Sequence, residues 1–327
     1  DPTRHLRRSA MKCRVCRGPA VIDIRRHNAN FCEEHFLKLC HDQVTRAIEA
    51  FDMLSPGDRV LVAVSGGKDS LALWDILLDL GYEVDGLYLG LGIGEYTEAS
   101  GCHVRRFATA RGLNLREVDL RSEHGFDIPN GSRAAKRPPC SACGLSKRHL
   151  FDSATRDGGY DALATGHNLD DEAAVLFGNV LRWEGEYLAR QFPVLPAGNG
   201  FPRKVKPLVR LSERETAAYC VLRGIDYQVE ECPMAEGNRH LGYKAALNAI
   251  EAQSPGTKHT FYFNFLDRAA GLFRDRMAEV DTGLDTCTRC GSPANGEICS
   301  FCRLAERATG AGAPVRLGSR RQDGVRA

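Results

Sequence analysis

Val62-Ala63-Val64-Ser65-Gly66-Gly67-Lys68-Asp69-Ser70 is the stretch whose reading decides the fold. The apolar run from Val60 to Val64 reads as a buried parallel strand. Ser-Gly-Gly follows it, and then a helical pattern through Leu71, Leu73, Ile76, Leu77 and Leu80. Strand, glycine turn and helix start together make a cradle for phosphate. Glycines let the backbone come close to an anion, and the first N–H groups of a helix point outward without intrahelical partners. A P-loop would need four residues between its first glycine and a Gly-Lys pair, and that spacing is not met. An ordinary strand-to-helix turn is the plainer alternative. The serines, the glycines and both flanking periodicities favour the cradle.

The same alternation runs on in both directions. Strands are predicted near 60–64, 83–89, 114–118 and 160–164, with helices near 69–80, 97–111, 142–157 and 170–182. That pattern means an α/β fold, a doubly wound parallel sheet with helices on both faces and ligands at the carboxyl ends of its strands. A helix near 40–54 precedes it, and a basic, proline-containing loop should link residue 118 to Pro139. A polar excursion covers 184–207. Ser212 to Glu215 reads as a capping box opening a helix, and Pro255 as the first residue of another. The expected division is an N-terminal metal module (1–42), the nucleotide domain (43–282), a C-terminal metal module (283–304) and a disordered tail (305–327).

The chain has 327 residues, 43% hydrophobic and 26% charged, which suits a globular protein with more than one unit. It contains no apolar run long enough to span a membrane, and no apolar stretch follows the basic start, so neither a span nor a secretory signal is expected. Net charge is only +2, but the cations cluster. Arg4, Arg7, Arg8, Lys12, Arg14, Arg17, Arg25 and Arg26 crowd the start, and Arg203, Lys204, Lys206, Arg210 and Arg214 a later segment. A third group is Arg133, Lys136, Arg137, Lys147 and Arg148. Such clusters suit a polyanion better than the net charge suggests, although each alone could be a solvated face.

Thirteen cysteines, several in Cys-x-x-Cys pairs, argue against a disulfide framework and for metal or redox chemistry in a reducing cytoplasm. Cys13 and Cys16 are followed by Cys32 and His35, and Cys287 and Cys290 by Cys299 and Cys302. Each Cys-x-x-Cys turn aims two thiolates at one point, and a second turn closes a tetrahedron, the pattern of structural zinc. Metal at such a knuckle supplies on the order of 10 kcal/mol toward folding a segment too small for its own core. His27, Cys40 and His41 compete for the fourth place of the first set.

Cys140 and Cys143 stand outside these knuckles, in Arg137-Pro-Pro-Cys140-Ser-Ala-Cys143-Gly144, just ahead of a predicted helix. Cys232 follows a predicted short strand at 226–229. If those strands are neighbours, three sulfurs can meet near the cradle. They would suit a catalytic thiol with a redox partner, or a cluster with three protein ligands and one open iron. A third zinc lacking one ligand is the bland alternative. Core packing is the default for Cys40, Cys102 and Cys220.

These pieces carry a resemblance. Ser65 to Ser70 is similar to the pyrophosphate loop of the ATP pyrophosphatases. The two knuckles, Arg137 to Arg148, Thr165-Gly-His167-Asn-Leu-Asp170-Asp171-Glu172, Lys206-Pro-Leu208 and Cys232-Pro233 fall in the order seen in tRNA 2-thiouridine synthetases of the TtuA type. The resemblance implies an adenine nucleotide alpha-hydrolase fold using ATP and Mg²⁺, two Zn²⁺, and a [4Fe-4S] cluster on Cys140, Cys143 and Cys232. It implies tRNA as substrate and a homodimer. The implied sulfur donor is a thiocarboxylated ubiquitin-like protein or a persulfide carrier.

On this reading Ser65, Gly66, Gly67, Lys68 and Ser70 hold pyrophosphate and Asp69 holds Mg²⁺. Gly166, His167 and Asn168 line the nucleotide pocket. Lys147 and Arg148 stabilise developing charge, and Asp171 with Asp170 binds metal or polarises substrate, unless both merely cap a helix. Adenylation turns the C2 oxygen of uridine into a leaving group, and iron-bound sulfide or a cysteine persulfide replaces it. A 2-thiocytidine synthetase would share the loop and three cysteines but is not expected to carry two flanking knuckles. A lysidine synthetase would have the loop without the cysteines. A non-enzymatic, zinc-stabilised RNA-binding or redox-sensing protein would not need an intact loop.

Overall fold

A computed structural model describes residues 11–235, 239–278 and 283–310. The chain enters through a small antiparallel hairpin, β1 (Ile22–Ile24) and β2 (Ala29–Phe31), joined by a 3-10 turn at Arg25–His27. Cys32 then caps α1 (Glu33–Ala50), so this helix begins several residues before the predicted 40–54. The α/β body follows: β3 (Arg59–Val64), α2 (Lys68–Asp79), β4 (Glu83–Gly90), α3 (Gly94–Arg111), β5 (Leu115–Asp119), α4 (Leu120–His124), α5 (Ile128–Ala135), α6 (Pro139–Asp157), β6 (Ala162–Thr165) and α7 (Leu169–Arg182). Next come α8 (Gly185–Ala189), β7 (Val194–Leu195), β8 (Lys204–Val205), a 3-10 turn at Pro207–Arg210 and α9 (Glu213–Leu222). The described chain ends with α10 (Arg239–Gln253), α11 (Thr257–Arg268), α12 (Ala270–Ala278), the pair β9 (Asp285–Thr286) and β10 (Pro293–Ala294), and α13 (Ser300–Thr309).

Six strands form one sheet in the order β5-β4-β3-β6-β8-β7, parallel throughout except for β7. Alternation along β3 explains the two layers. Val60, Val62 and Val64 face a core shared with Trp74, Leu73 and Phe107, while Leu61 and Ala63 face a second core with Leu150, Ala154, Phe301 and Leu304. Chain order reverses between β3 and β6, so the crevice for ligand lies above that pair. Among the described residues no helix is long and apolar enough to cross a membrane.

Several expectations need correction. Residues 120–135 are not an open loop but two short helices, capped by Asp119 accepting from Ser122 N and Asp127 accepting from Asn130 N. Residues 226–229 form no strand. Pro255 does not open a helix; it sits in the turn between α10 and α11, ahead of the cap Gly256. The 184–207 excursion contributes the β7–β8 edge of the sheet. α13 runs to Thr309, past residue 305 where the tail was expected; residues 1–10 and 311–327 lie outside the described residues. The capping box of α9 is present: Ser212 accepts from Glu215 N, and Glu215 accepts from Ser212 N.

Gly86 on β4 shows how tightly the first layer is packed. A Cβ there would come within 2.4 Å of the fully buried Trp74 ring. Gly86→Ala should therefore lower unfolding stability by about 1–3 kcal/mol through overpacking, read by urea denaturation. A midpoint equal to wild type would show that the ring has room to move.

Candidate functional site: a phosphate cradle beside three thiols

Two glycines set the crevice. Gly66 has φ +81°, and a side chain on it would meet the Ser100 carbonyl oxygen at 2.5 Å. Gly166, at the end of β6, would bring a Cβ within 2.9 Å of the Ser70 backbone nitrogen. The first turn can close on α3 and the second on the start of α2 only because nothing projects from them. Gly67 caps α2 without any side-chain cap, so the first amides of the helix stay free for an anion. Ser70 Oγ accepts from Ser65 N (3.1 Å), donates to Gly67 O (2.9 Å) and lies 3.3 Å from Ser65 Oγ. The two hydroxyls thus stand at the mouth of the loop.

A cavity of about 290 Å³ opens there. Of the residues singled out in the sequence, Ser65, Asp69, Ser70, Gly166 and His167 line it and Gly66, Gly67 and Lys68 do not, while Lys147 reaches it from α6. His167 Nδ1 lies 2.8 Å from Thr165 Oγ1. Asn168 does not line the cavity. It is buried behind it, where its side-chain amide donates to Asp69 Oδ1 (3.0 Å). Thr216 donates to the same oxygen. Burial pushes the Asp69 pKa up, with the Lys68 charge and the Thr216 bond opposing. Tyr96, Thr97 and Ser100 of α3 complete the wall and escaped the sequence reading. The glycine-rich run Gly90-Leu-Gly92-Ile-Gly94 that leads into them was the available signal.

Lys68 turns away from the cradle. Its Nζ donates to Glu213 Oε1 (2.8 Å) and Asp69 Oδ2 (3.1 Å) and lines a second cavity. Lys244 holds the other Glu213 oxygen at 3.2 Å and Asp171 at 2.7 Å. Burial opposes the charged form of Lys68, but Asp69 and Glu213 outweigh it and raise the pKa. Burial likewise opposes ionisation of Glu213, and the two lysines overcome it and lower the pKa. The stabilisation Glu213 supplies is therefore complete above the usual glutamate pKa and lost as pH falls through its lowered value. Asp171 closes the capping box of α7 with Asn168 and faces Lys244, not the cavity. Asp170 pairs with Lys258 and accepts from Glu213 N. Capping and ion pairing are what these two carboxylates do here.

The three thiols flank the cavity. Cys140, exposed in the first turn of α6, donates to Met234 O (3.4 Å). Cys143 is half-buried one turn on. Burial raises its pKa, the Lys147 charge opposes this, and charges on Cys232 and Cys140 add to it. Tyr96 stands between cavity and thiols, its pKa raised by burial and then by Cys232. Cys232 is brought in by a coil rather than a strand, which Gln228 N ties to Gly66 O at 2.8 Å. Among the described residues only the two knuckles draw their donors within 4.8 Å of one another. Three thiols gathered more loosely suit a polynuclear cluster better than one ion.

Both knuckles fit zinc. Cys13, Cys16, Cys32 and His35 converge, with Cys32 Sγ 3.0 Å from His35 Nδ1. Cys287, Cys290, Cys299 and Cys302 converge likewise, with Cys290 and Cys299 sulfurs 3.7 Å apart. Cys40, buried in the first core, and His27 and His41 stay outside the first set. The second knuckle also braces the site. Its Phe301 stacks on His149 of α6 with centroids 4.1 Å apart, and α13 packs on α5. Cys299→Ser should lose the zinc of this module and expose α13 to protease, while ATP binding persists. Wild-type protease resistance in a zinc-depleted variant would contradict this.

Residues 12–37 match the family model described as the N-terminal LIM domain of 2-thiouridine synthetase TtuA. The chain is 48% identical over 295 residues to tRNA-5-methyluridine(54) 2-sulfurtransferase of Thermus thermophilus, covering 90% of this chain and 91% of that protein. It is 42% identical over 294 residues to the protein of the same name from Pyrococcus horikoshii, covering 90% and 93%. The fold matches the U34-tRNA thiolase NcsA from Methanococcus maripaludis, solved with its [4Fe-4S] cluster, with a TM-score of 0.76 at 23% identity over 91% of this chain and 96% of that one. On the strength of the two sulfurtransferase relatives, each matched over nine-tenths of its length, the chain belongs to the TtuA family of tRNA 2-sulfurtransferases.

Proposed function

We propose that this enzyme replaces the C2 oxygen of 5-methyluridine 54 of tRNA with sulfur, at the cost of ATP. The names of its relatives support the position. The observation that carries the chemistry is the Gln228–Gly66 hydrogen bond, which sets the Cys232 segment against the phosphate loop. Nucleotide and sulfur chemistry thereby share one crevice.

The free amides of α2 with Ser65 and Ser70 take the β- and γ-phosphates. Lys68 leaves Glu213 for the phosphates, and Asp69 is then free to hold Mg²⁺. The uridine C2 oxygen attacks the α-phosphate and pyrophosphate leaves. A sulfur nucleophile adds at C2, and AMP departs with the former carbonyl oxygen. Lys147, on the cavity wall, balances charge on the reacting oxygen. Cys140, Cys143 and Cys232 are the residues to hold a [4Fe-4S] cluster, which supplies an iron open to a sulfur ligand. The sulfur donor is a thiocarboxylated ubiquitin-like protein or a persulfide carrier. The working form is a homodimer in the cytoplasm. Exposed Leu181, Trp183 and Tyr187 around the α7–α8 turn are apolar surface for a second copy, and the thirteen cysteines form no disulfide, which suits that compartment.

Two sets of variants test this. Lys68→Ala and Asp69→Ala should each cut thiolation at least about 100-fold while both zincs remain. Near-normal thiolation by either would remove it from the mechanism. Purified without oxygen, Cys140→Ser, Cys143→Ser and Cys232→Ser should each lose iron and thiolation but keep zinc, whereas the exposed Cys102→Ser keeps all three. A wild-type enzyme that thiolates tRNA without iron would sink the cluster and favour a cysteine persulfide.

A further inference from the structure

The described part of the basic cluster at the start of the chain, Lys12 to Arg26, has no part in the chemistry above, and the fold gives it a definite place. The 3-10 turn between β1 and β2 inserts Arg26 against the head of α9. Its guanidinium clamps both Glu215 oxygens, at 2.8 and 2.9 Å, and donates to Arg210 O at 2.9 Å. The two side chains are 8% and 1% exposed, so this pair docks the zinc module on the body.

Cations gather around that anchor. His27 is half-buried near Arg26, Arg14 and Arg46, and burial first and Arg26 next lower its pKa against the Glu215 charge. His259 on α11 falls to about 4 through burial and then Arg26, Arg210 and His27. The pKa of Arg210 is lowered by burial and then by Arg46 and Arg26. Its Nε donates to Gln43 (3.3 Å) and its guanidinium lies over the Phe263 ring at 4.7 Å. Two carboxylates reach this group, and both are engaged. Glu215 is held by Arg26, and Glu251 accepts from the backbone N–H groups of Gly256 (2.6 Å) and Lys258 (2.9 Å). Among the described residues Arg14, Arg25, Arg46, Arg210 and Arg214 make no ion pair. Beside them opens a cavity of about 550 Å³, lined by Arg25, Arg26, Arg214 and by Lys68 of the phosphate loop, and also by Asp170, Glu213, Glu215 and Glu251, each of which is already held by a lysine, by Arg26 or by backbone N–H groups.

We propose that this arginine face, running from the zinc module over α1 and the Pro207–Arg210 turn to Arg214, is where the tRNA backbone docks. The inference rests on the thiolation reading above. Unpaired guanidinium groups crowded together repel one another, and a row of phosphates offsets that repulsion charge by charge. Arginine forks also match phosphate oxygens in pairs. Lys68 links the face to chemistry, since it lines the large cavity while its neighbour Asp69 lines the nucleotide cavity.

The test is tRNA affinity of the full-length holoenzyme, measured without oxygen over a range of KCl. Arg46→Glu and Arg214→Glu change exposed groups that make no ion pair among the described residues, so the fold should tolerate them. Each should weaken binding about tenfold and reduce the slope of log K against log salt by about one, with ATP affinity, zinc and iron unchanged. Arg156→Glu, the same charge change in the last turn of α6, where Arg156 pairs with its neighbour Asp157, should leave the slope alone. Wild-type affinity and slope in both face variants would overturn the proposal. An equal loss in Arg156→Glu would also overturn it. Normal tRNA binding with failed transfer from a protein sulfur donor would assign the face to that protein instead. A wild-type holoenzyme without tRNA affinity would be a separate result, one that fells the thiolation reading and the docking face together.

Discussion

Two backbone approaches leave no room for a side chain: the Ser100 carbonyl against Gly66, and the Ser70 amide against Gly166. They seat the β3 turn against α3 and the β6 turn against the start of α2, at the point where the sheet's chain order reverses. Everything in the crevice is placed from there. The free helix amides, the serine hydroxyls and buried Asp69 fall on one side, and the Gln228–Gly66 bond hangs the Cys232 segment on the other. A side chain at either glycine would force backbone apart rather than displace a flexible neighbour, so the cradle and the thiol group stand or fall together.

The sheet was readable because burial on both faces writes its strands as apolar runs, such as Val60 to Val64, with helices of period 3.6 between them. The knuckles were readable because ligand spacing is a local property. What failed depended on contacts remote in sequence. Residues 120–135 look polar, and their helices exist because Asp119 and Asp127 cap them and α13 packs on α5. Cys232 reaches the site through a hydrogen bond to Gly66, a link no pattern of residues near 226–229 could reveal. The motif names Lys68 and Asp171 but not their partners. Glu213 and Lys244, far along the chain, take both out of the nucleotide cavity.

The two metal modules play unequal parts. The first is fastened by a nearly buried Arg26–Glu215 pair, a costly contact to leave half-made, and its Arg25 and Arg26 line one wall of the cavity of about 550 Å³. The second packs its aromatic Phe301 against the helix that carries Cys140, Cys143 and Lys147. Zinc binding at one end is thus coupled to a charged surface, and at the other to the stiffness of the thiol-bearing helix. Between them the lysine–carboxylate chain Lys68–Glu213–Lys244–Asp171 ties the phosphate loop to α9, α10 and α7.

The central claim is that the uridine C2 oxygen is activated by AMP before sulfur replaces it. Isotope transfer tests it most directly. tRNA carrying ¹⁸O at C2 of the target uridine is converted by the anaerobic holoenzyme with ATP and sulfide, and the nucleotide product is weighed by mass spectrometry. The account predicts AMP containing one ¹⁸O for each thiolated uridine, with unlabelled pyrophosphate. Release of ADP, or of unlabelled AMP with ¹⁸O in water, would contradict it.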